Sequence, residues 1–279
     1  MNAVNRLPRR LALGFLLCLS LVAATAQAEY VLSAPPRETP AQGQRMYGQL
    51  AEFLSGVLGT SVVYEHPGDW NTYARNMREG RYDILFDAPH FAAWRLEKQG
   101  AQPLVKLPGA INFVLVTHVA ETGLNGPDDL VGRQVCMLPS PSLGAVSVYA
   151  MYANPVQQPE FVAMNGSWVD VADAVARGEC KAGVVRKNDY QNLISAETRA
   201  NTKVLGETRE LTNQGITVSD RVPAADRNKM LGALTGPEGL AAAEMLVKRF
   251  SAANPTLEPA APADYIDHNL LTENMIFGW

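Results

Sequence analysis

The stretch that decides the fold is Gly80-Arg81-Tyr82-Asp83-Ile84-Leu85-Phe86-Asp87-Ala88-Pro89-His90. Its centre, Tyr82–Phe86, is a short apolar run typical of a buried β-strand, and it follows a glycine that is expected to end a helix. Two earlier strand-like runs, Tyr30–Ser33 and Ser61–Glu65, alternate with helical stretches. Strand, helix, strand, helix and strand at this spacing predict a parallel sheet with right-handed crossovers.

Both helices of this first unit have clear start signals. In Thr39–Gln42 the threonine can cap the helix, the proline sits where no amide donor is needed, and the glutamine can reach back to the cap. Apolar residues recur at helical spacing from Met46 to Leu58, and Gly59 provides a stop. Asp69 is expected to cap the second helix.

The same order of elements begins again after Gly132. Two β-rich runs, Asn112–Thr117 and Gly215–Ser219, flank this second unit and are expected to cross between two lobes. A lobe that is interrupted by a second lobe and joined to it by two extended strands can act as a hinge that closes on a ligand. The predicted elements of the second unit are strands at Gln134–Leu138, Glu160–Met164 and Lys181–Val185, and helices from Ser140 to about Tyr152 and from about Trp168 to Arg177.

The first 28 residues predict export. A cationic start with three arginines precedes an apolar run from Leu11 to Ala24, and Ala26-Gln27-Ala28 supplies the small residues of a cleavage site, so cleavage is expected after Ala28. The run is too short for a stable anchor across a bilayer of about 30 Å. The Arg9-Arg10 pair leaves a twin-arginine route open beside the general one.

The charge of the exported chain argues against nucleic-acid binding. Removing residues 1–28 takes away three arginines and no acid, so the formal net charge moves from −4 to −7. Proteins that bind nucleic acids rely on basic surfaces.

Two cysteines remain after cleavage, Cys136 and Cys180, and they fall on the first and third predicted strands of the second unit. In an oxidising compartment two cysteines more often pair than stay free, and the first and third strands of a doubly wound unit are neighbours, so a disulfide is expected. A thiol site for a soft ligand such as an arsenic oxyanion is the alternative.

The sequence contains no motif that predicts catalysis. Gly-x-Ser-x-Gly, His-Glu-x-x-His and a phosphate loop with its lysine are all absent, and the four histidines are scattered. We therefore expect neither an enzyme, nor a cofactor, nor a metal site.

Four segments carry a resemblance to a known family: APPRETP (residues 34–40), GRYDILFDAPH (80–90), DLVGRQV (129–135) and GECKAGVV (178–185). With them the chain resembles the phosphate/phosphite/phosphonate-type substrate-binding proteins of ABC transporters, over nearly all of the mature chain. The resemblance implies the type 2 periplasmic-binding-protein fold, an α/β fold of two lobes, each a mostly parallel sheet flanked by helices, joined by two hinge strands. Residues 29–116 and 213–279 are then expected to form lobe 1, and residues 117–212 lobe 2.

The same resemblance implies a function. It implies a monomeric periplasmic protein that closes on a small anionic ligand, phosphonate- or phosphate-like, and delivers it to an inner-membrane ABC permease. A module that presents its ligand-bound state to a sensor kinase ectodomain, for a different oxyanion or a carboxylate, fits the same fold. A secreted enzyme on this fold would need a metal or a reactive residue in the cleft.

Mapping the family's site onto this sequence gives the candidate residues. The helix that begins in the Ser140–Gly144 loop offers unpaired amides and hydroxyl donors to anionic oxygens, and Arg186 could hold an oxyanion through two hydrogen bonds. Pro141 in the serine loop, and Asn165-Gly166-Ser167 where phosphonate binders commonly present a histidine, depart from the family and favour a different ligand. The candidates are Tyr47, Asp87, His90, Ser140, Ser142, Ser167, Trp168 and Arg186, with Arg37 in addition. The competing roles are helix capping for the serines, core packing for the aromatic residues, hydrogen bonding within a loop for the histidine and a solvated surface position for the arginines.

Overall fold

The computed structural model describes residues 29–152, 154, 156–251 and 256–268. The predicted signal peptide at residues 1–28 lies outside this range. Among the helices of the described part, none has the length and apolar content needed to cross a membrane.

The first lobe is built on a six-stranded mixed sheet. Its leading part alternates strands and helices as the sequence predicts, and its C-terminal part adds three helices and two strands. The elements are β1 (Tyr30–Ser33), α1 (Pro40–Leu58), β2 (Val62–Tyr64), α2 (Trp70–Arg78), β3 (Ile84–Asp87), α3 (Pro89–Gln99) and β4 (Gln102–Lys106), followed by the linking strand β5 (Ala110–Ile111).

The second lobe is built on a five-stranded mixed sheet. The chain enters it at β6 (Phe113–His118), passes a 3₁₀ turn at Pro127–Leu130, and then repeats the strand–helix alternation. The further elements are β7 (Gln134–Met137), α4 (Leu143–Tyr149), β8 (Glu160–Ala163), α5 (Trp168–Ala176), β9 (Ala182–Arg186), α6 (Lys187–Asn192), α7 (Ala196–Ala200) and β10 (Thr202–Glu207).

The chain then returns to the first lobe. A second linking strand precedes a strand of the first sheet, and short helices complete the lobe. These elements are β11 (Leu211–Thr212), β12 (Gly215–Val218), α8 (Ala224–Leu234), α9 (Pro237–Ala242), α10 (Glu244–Phe250), β13 (Glu258–Pro259) and a 3₁₀ turn at Pro262–Tyr265.

The two sheets share one topology. The first has the order β13-β4-β12-β3-β1-β2 and the second the order β10-β6-β9-β7-β8. In each, three parallel strands are followed by one antiparallel strand that belongs to a chain segment coming from the other lobe: β12 pairs antiparallel with β3, and β6 pairs antiparallel with β9. The α/β two-lobe fold is therefore confirmed, with sheets that are mixed rather than purely parallel.

The crossing between the lobes differs from the prediction. The runs Asn112–Thr117 and Gly215–Ser219 were expected to be the crossings, but they form β6 and β12, which are inner strands of the two sheets. Each has a strand on both sides, because β6 pairs with β9 and β10, and β12 pairs with β3 and β4. The link itself is the two-stranded pair of β5 and β11, with Leu211 opposite Ile111. The predicted lobe boundary after residue 116 would divide β6. We therefore propose that the boundary lies between β5 and β6.

Helix caps and the disulfide follow the predictions. Thr39 and Gln42 form a capping box on α1, and Asp69 accepts from the amide of Thr72 at the start of α2. Cys136 and Cys180 are joined, with their Cα atoms 6.0 Å apart. Cys136 lies on β7, which is hydrogen-bonded to β9, and Cys180 comes just before β9.

Candidate functional site

The candidate site is a cavity of about 300 Å³ between the lobes. The loops that follow the parallel strands of both sheets line it, which is where ligands bind in open α/β sheets. The first lobe contributes the loops after β1, β2 and β3, and the second lobe the loops after β7, β8 and β9. The lining includes Pro35, Arg37, Trp70, His90, Phe113, Leu138, Ser142, Leu143, Asn165, Ser167, Trp168, Arg186, Asp189, Gln214, Arg249 and Phe250.

Arg186 is the most deeply buried cation of the cavity. It ends β9, is 4% exposed, and donates from Nη2 to the Phe250 carbonyl of the first lobe at 2.7 Å. Its Nη1 lies 3.6 Å from Asp189 Oδ1, an ion pair without a hydrogen bond. Nε and Nη1 therefore have no hydrogen-bond partner among the described residues. Burial lowers the pKa of Arg186 while Asp189 raises it, and the guanidinium keeps two donors available at the cavity.

Arg37 and Arg249 add two further guanidinium groups. Arg37 follows β1 and donates to the side-chain oxygen of Gln214, and its guanidinium carbon lies 4.8 Å from the centre of the Phe250 ring. Arg249, on α10, lies over the same ring at 5.0 Å. Stacking on an aromatic face leaves the edge of a guanidinium group free to meet an anion.

Two carboxylates partly balance these three cations. Arg249 is 3.9 Å from Glu38 Oε1 and 4.0 Å from Asp189 Oδ2, distances too long for hydrogen bonds. Burial raises the pKa of Asp189, whereas Arg186 and Arg249 lower it. With three arginines against two acids, the group carries a net charge of +1 and loose internal pairing. An anion would complete it.

His90 connects the lobes across the cleft. It is fully buried on α3, and its Nε2 donates to the Pro141 carbonyl of the second lobe at 3.0 Å. Burial lowers its pKa to about 3, so the ring is neutral at physiological pH. Its Nδ1, the acceptor of the neutral ring, has no partner within the described part of the chain.

Asp87 lies behind the cavity rather than on its wall. It ends β3 and is fully buried; it accepts from Tyr73 Oη at 2.5 Å and from the amide of Ala88 at 2.8 Å. Burial raises its pKa to about 6, while the hydrogen bond from Tyr73 and the charges of Arg37 and Arg95 hold it lower than burial alone would. The sequence placed this residue in the site, but the structure uses it to support the strand end that carries His90.

Two of the three predicted serines cap helices and line the cavity, and the third does neither. Ser142 caps α4, accepting from the Ala145 amide at 3.4 Å and donating to the Leu138 carbonyl at 3.2 Å. Ser167 caps α5 in a reciprocal box with Asp170. Both line the cavity. Ser140 does not line it, and its hydroxyl is buried without a hydrogen-bond partner among the described residues.

The two predicted aromatic residues separate. Trp168 lines the cavity and packs on Phe113, with ring centres 5.3 Å apart. Tyr47 is fully buried in the core of the first lobe, packed against Tyr64 and Phe86, and does not line the cavity. Its position on the apolar stripe of α1 explains this, since that stripe faces the sheet.

Sequence reasoning missed the contributors from outside the repeated strand-to-helix loops. Arg249 and Phe250 come from the end of α10, and Gln214 precedes β12. No motif marks them, because their place depends on how the C-terminal segment packs on the first sheet. Trp70 begins the helix after β2 and Asp189 lies in the first turn of the helix after β9, so the rule that selected Trp168 and Arg186 could have found them.

Comparisons with known proteins agree with this geometry. The family model described as ABC transporter, phosphonate, periplasmic substrate-binding protein matches residues 32–265. No curated protein sequence matches the chain.

Solved structures share the fold at low sequence identity. PhnD1 from Prochlorococcus marinus, in complex with methylphosphonate, is 13% identical with a TM-score of 0.69, covering 88% of this chain and 97% of its own. A binding protein component of an ABC phosphonate transporter from Pseudomonas aeruginosa is 13% identical with a TM-score of 0.65, covering 88% and 86%. A histidine kinase sensor domain similar to periplasmic binding proteins is 16% identical with a TM-score of 0.52, covering 84% and 99%.

Proposed function

The chain belongs to the ABC transporter phosphonate periplasmic substrate-binding family, and from this premise we propose that it captures a small anionic ligand between its lobes and delivers it to an inner-membrane ABC permease. The family supports the transport role. The three arginines that line the cavity support a negatively charged ligand. One similar structure is a complex with methylphosphonate and another belongs to a phosphonate transporter, so a phosphonate is the first ligand class to test.

One observation carries the proposal: Arg186 is buried between the lobes with two donor atoms that make no hydrogen bond within the described chain, although one of them lies 3.6 Å from Asp189. A buried polar group without a partner costs about 1–3 kcal/mol, and more when it is charged. A ligand oxyanion can accept from both donors, because the guanidinium fork matches two oxygens of a phosphonate or carboxylate. The neighbouring Arg37 and Arg249 add attraction without committing to strong internal pairs.

Capture by closure follows from where the cations are carried. Arg186 belongs to the second lobe, whereas Arg37 and Arg249 belong to the first. A ligand that contacts all three therefore binds the closed arrangement more tightly than the open one and shifts the equilibrium between them. The closed form is what a permease would recognise.

A sensory role is the second candidate. It is supported by the fold shared with a histidine kinase sensor domain. Stimulation of ATP hydrolysis by a reconstituted permease complex in the presence of ligand-loaded protein supports import; ligand-dependent stimulation of a kinase instead supports sensing. Permease and ATPase genes next to the gene for this protein would favour import, and genes for a kinase and a response regulator would favour sensing.

The test is a binding assay on the mature protein with a matched pair of variants. Methylphosphonate, inorganic phosphate and benzoate are titrated by calorimetry into the wild type, Arg186→Met and Arg133→Met. Arg133 is an exposed arginine of the same lobe and is outside the cavity. We expect at least one anion to bind, with affinity falling about 100-fold in Arg186→Met, as removal of a buried charged partner costs 2–5 kcal/mol, and staying within about threefold in Arg133→Met.

Equal losses in the two variants would show that general charge, not this site, governs binding. Failure of every anion to bind or to raise the melting temperature would contradict the proposal.

A further inference from the structure

We propose that the ligand is an organic oxyanion with an aromatic substituent, whose charged group meets the arginines and whose ring lies between Trp70 and Trp168. This inference rests on the proposed function and specifies its ligand class. It excludes inorganic phosphate and the smallest phosphonates as the preferred ligands.

The cavity is larger than a tetrahedral inorganic anion needs. The cavity has a volume of about 300 Å³. That volume lies at the lower end of the range for pockets that enclose drug-sized organic ligands. A tetrahedral inorganic anion has five heavy atoms and would leave much of the cavity to water.

Large aromatic side chains from both lobes form an apolar part of the cavity wall. Trp70 is the first residue of α2 in the first lobe, and Trp168 is the first residue of α5 in the second lobe. Both line the cavity, together with Phe113, which packs on Trp168. Arginines alone would suffice for an inorganic anion, whereas large aromatic side chains from both lobes favour a flat apolar substituent.

A glycine leaves room for the Trp168 ring. An added Cβ on Gly144 of α4 would lie 2.6 Å from the far edge of the Trp168 ring and 3.1 Å from the Phe113 ring. The absence of a side chain at this position therefore lets the indole approach α4 and form part of the cavity wall. Glycine inside a helix costs about 1 kcal/mol relative to alanine, which is compatible with a requirement for this contact.

The polar and apolar parts of the wall meet at Phe250. Its ring packs under the guanidinium groups of Arg37 and Arg249, and its carbonyl accepts from Arg186. An oxyanion held by these arginines can place its substituent against the tryptophans, since both groups of residues line one cavity. The cavity can therefore accommodate both the charged group and the aromatic substituent of one ligand.

The experiment compares ligands that share a charged group and differ in substituent. Phenylphosphonate, methylphosphonate and inorganic phosphate are titrated into the wild type, Trp70→Ala, Trp168→Ala and Trp94→Phe. Trp94 lies on α3 and does not line the cavity, so it serves as the control. We expect phenylphosphonate to bind the wild type at least about ten times more tightly than methylphosphonate does, because the ring buries additional apolar area.

The variants locate the preference. We expect Trp70→Ala and Trp168→Ala each to weaken phenylphosphonate binding about tenfold while changing methylphosphonate binding less than threefold, with Trp94→Phe unchanged. A wild-type preference for methylphosphonate or phosphate would overturn the inference and leave the proposed function standing. A phenyl preference that survives both alanine variants would also overturn it. Failure of these three anions and of benzoate to bind would contradict both proposals. The wild-type ratio decides the class of substituent even if a variant fails to fold.

Discussion

Two buried ionisable side chains three residues apart, Asp87 and His90, oppose each other in the pH dependence of stability. Burial raises the pKa of Asp87 from 3.8 to about 6, so between these values the folded state holds a proton that the unfolded state releases. Stability therefore falls as pH rises through that window. Burial lowers the pKa of His90 from 6.5 to about 3, so the unfolded state binds the extra proton and stability rises with pH.

Between pH 4 and 6 the two slopes cancel, each being about 1.4 kcal/mol per pH unit. Compared with the wild type, we expect Asp87→Asn to make the slope of the unfolding free energy against pH more positive by about that amount, and His90→Gln to make it more negative by the same amount. Urea unfolding at pH 4, 5 and 6 measures both. The double variant is the control and should regain the slope of the wild type; single variants that leave the slope unchanged would contradict the assignment.

At the residue scale the sequence predicts the strand-end residues of the site and misses those that depend on packing. His90, Ser142, Ser167, Trp168 and Arg186 reach the cavity because each follows a parallel strand or starts the next helix. Asp87 and Tyr47 were predicted as ligand contacts, but their side chains support the wall from behind. Whether the lining residues contact the ligand remains a prediction.

At the scale of elements, the serines at the starts of α4 and α5 have a structural role that is separable from binding. We expect Ser142→Ala and Ser167→Ala each to lower the unfolding free energy by about 1 kcal/mol, since each removes the acceptor of a first-turn amide. Ser167→Thr, which keeps an acceptor, should cost less. Chemical denaturation gives the stabilities, and an affinity loss of tenfold or more in the same alanine variants would add the ligand contact that the sequence predicts.

The disulfide ties two neighbouring elements of the second sheet. Cys136 and Cys180 are 44 residues apart, and the loop-entropy model gives roughly 4 kcal/mol for closing a loop of that length. We expect the Cys136→Ser/Cys180→Ser double variant to lose about that much unfolding free energy. It should keep its ligand affinity, because both cysteines lie in a core cluster with Val171 and Val175 and neither lines the cavity.

Thermal unfolding with and without a thiol reductant provides the control, since reduction should lower the melting temperature of the wild type and leave the double variant unchanged. A wild-type melting temperature that does not respond to complete reduction would contradict the prediction.

The elements themselves could largely be predicted, because their signals are local. Caps at Thr39 and Asp69 and the period of α1 come from residues close in the chain. The role of β6 and β12 could not be predicted, since their apolar pattern fits either a bridge or an inner strand and the choice depends on pairing with β9 and β3, far away in sequence. The short linking strands β5 and β11 carry too few residues for a periodic signal.

At the scale of the whole molecule, polar contacts cross the cleft beside the cavity. His90 donates to the Pro141 carbonyl, Arg186 donates to the Phe250 carbonyl, and Arg249 faces Asp189 at 4.0 Å. A typical hydrogen bond contributes about 1 kcal/mol net, so the two hydrogen bonds add only modestly to the stability of the closed form. The lobes also share an apolar core, in which Leu85 and Phe91 of the first lobe belong to one buried cluster with Leu143 and Val146 of the second. Under the proposed function, a bound anion that joins Arg186 to Arg37 and Arg249 would add the differential affinity that favours the closed form.

This predicts a change in size that small-angle X-ray scattering can measure. The 251 residues that remain after removal of residues 1–28 give a radius of gyration of about 18 Å for a compact chain, and an open two-lobed form should exceed it. We expect the wild type to contract toward that value when a saturating anion is added, and Arg186→Met to stay extended at the same anion concentration. Arg133→Met should contract like the wild type. Calorimetric binding without contraction would mean that the closed form already dominates before the ligand arrives, and the permease would then have to distinguish loaded from empty protein by something other than shape.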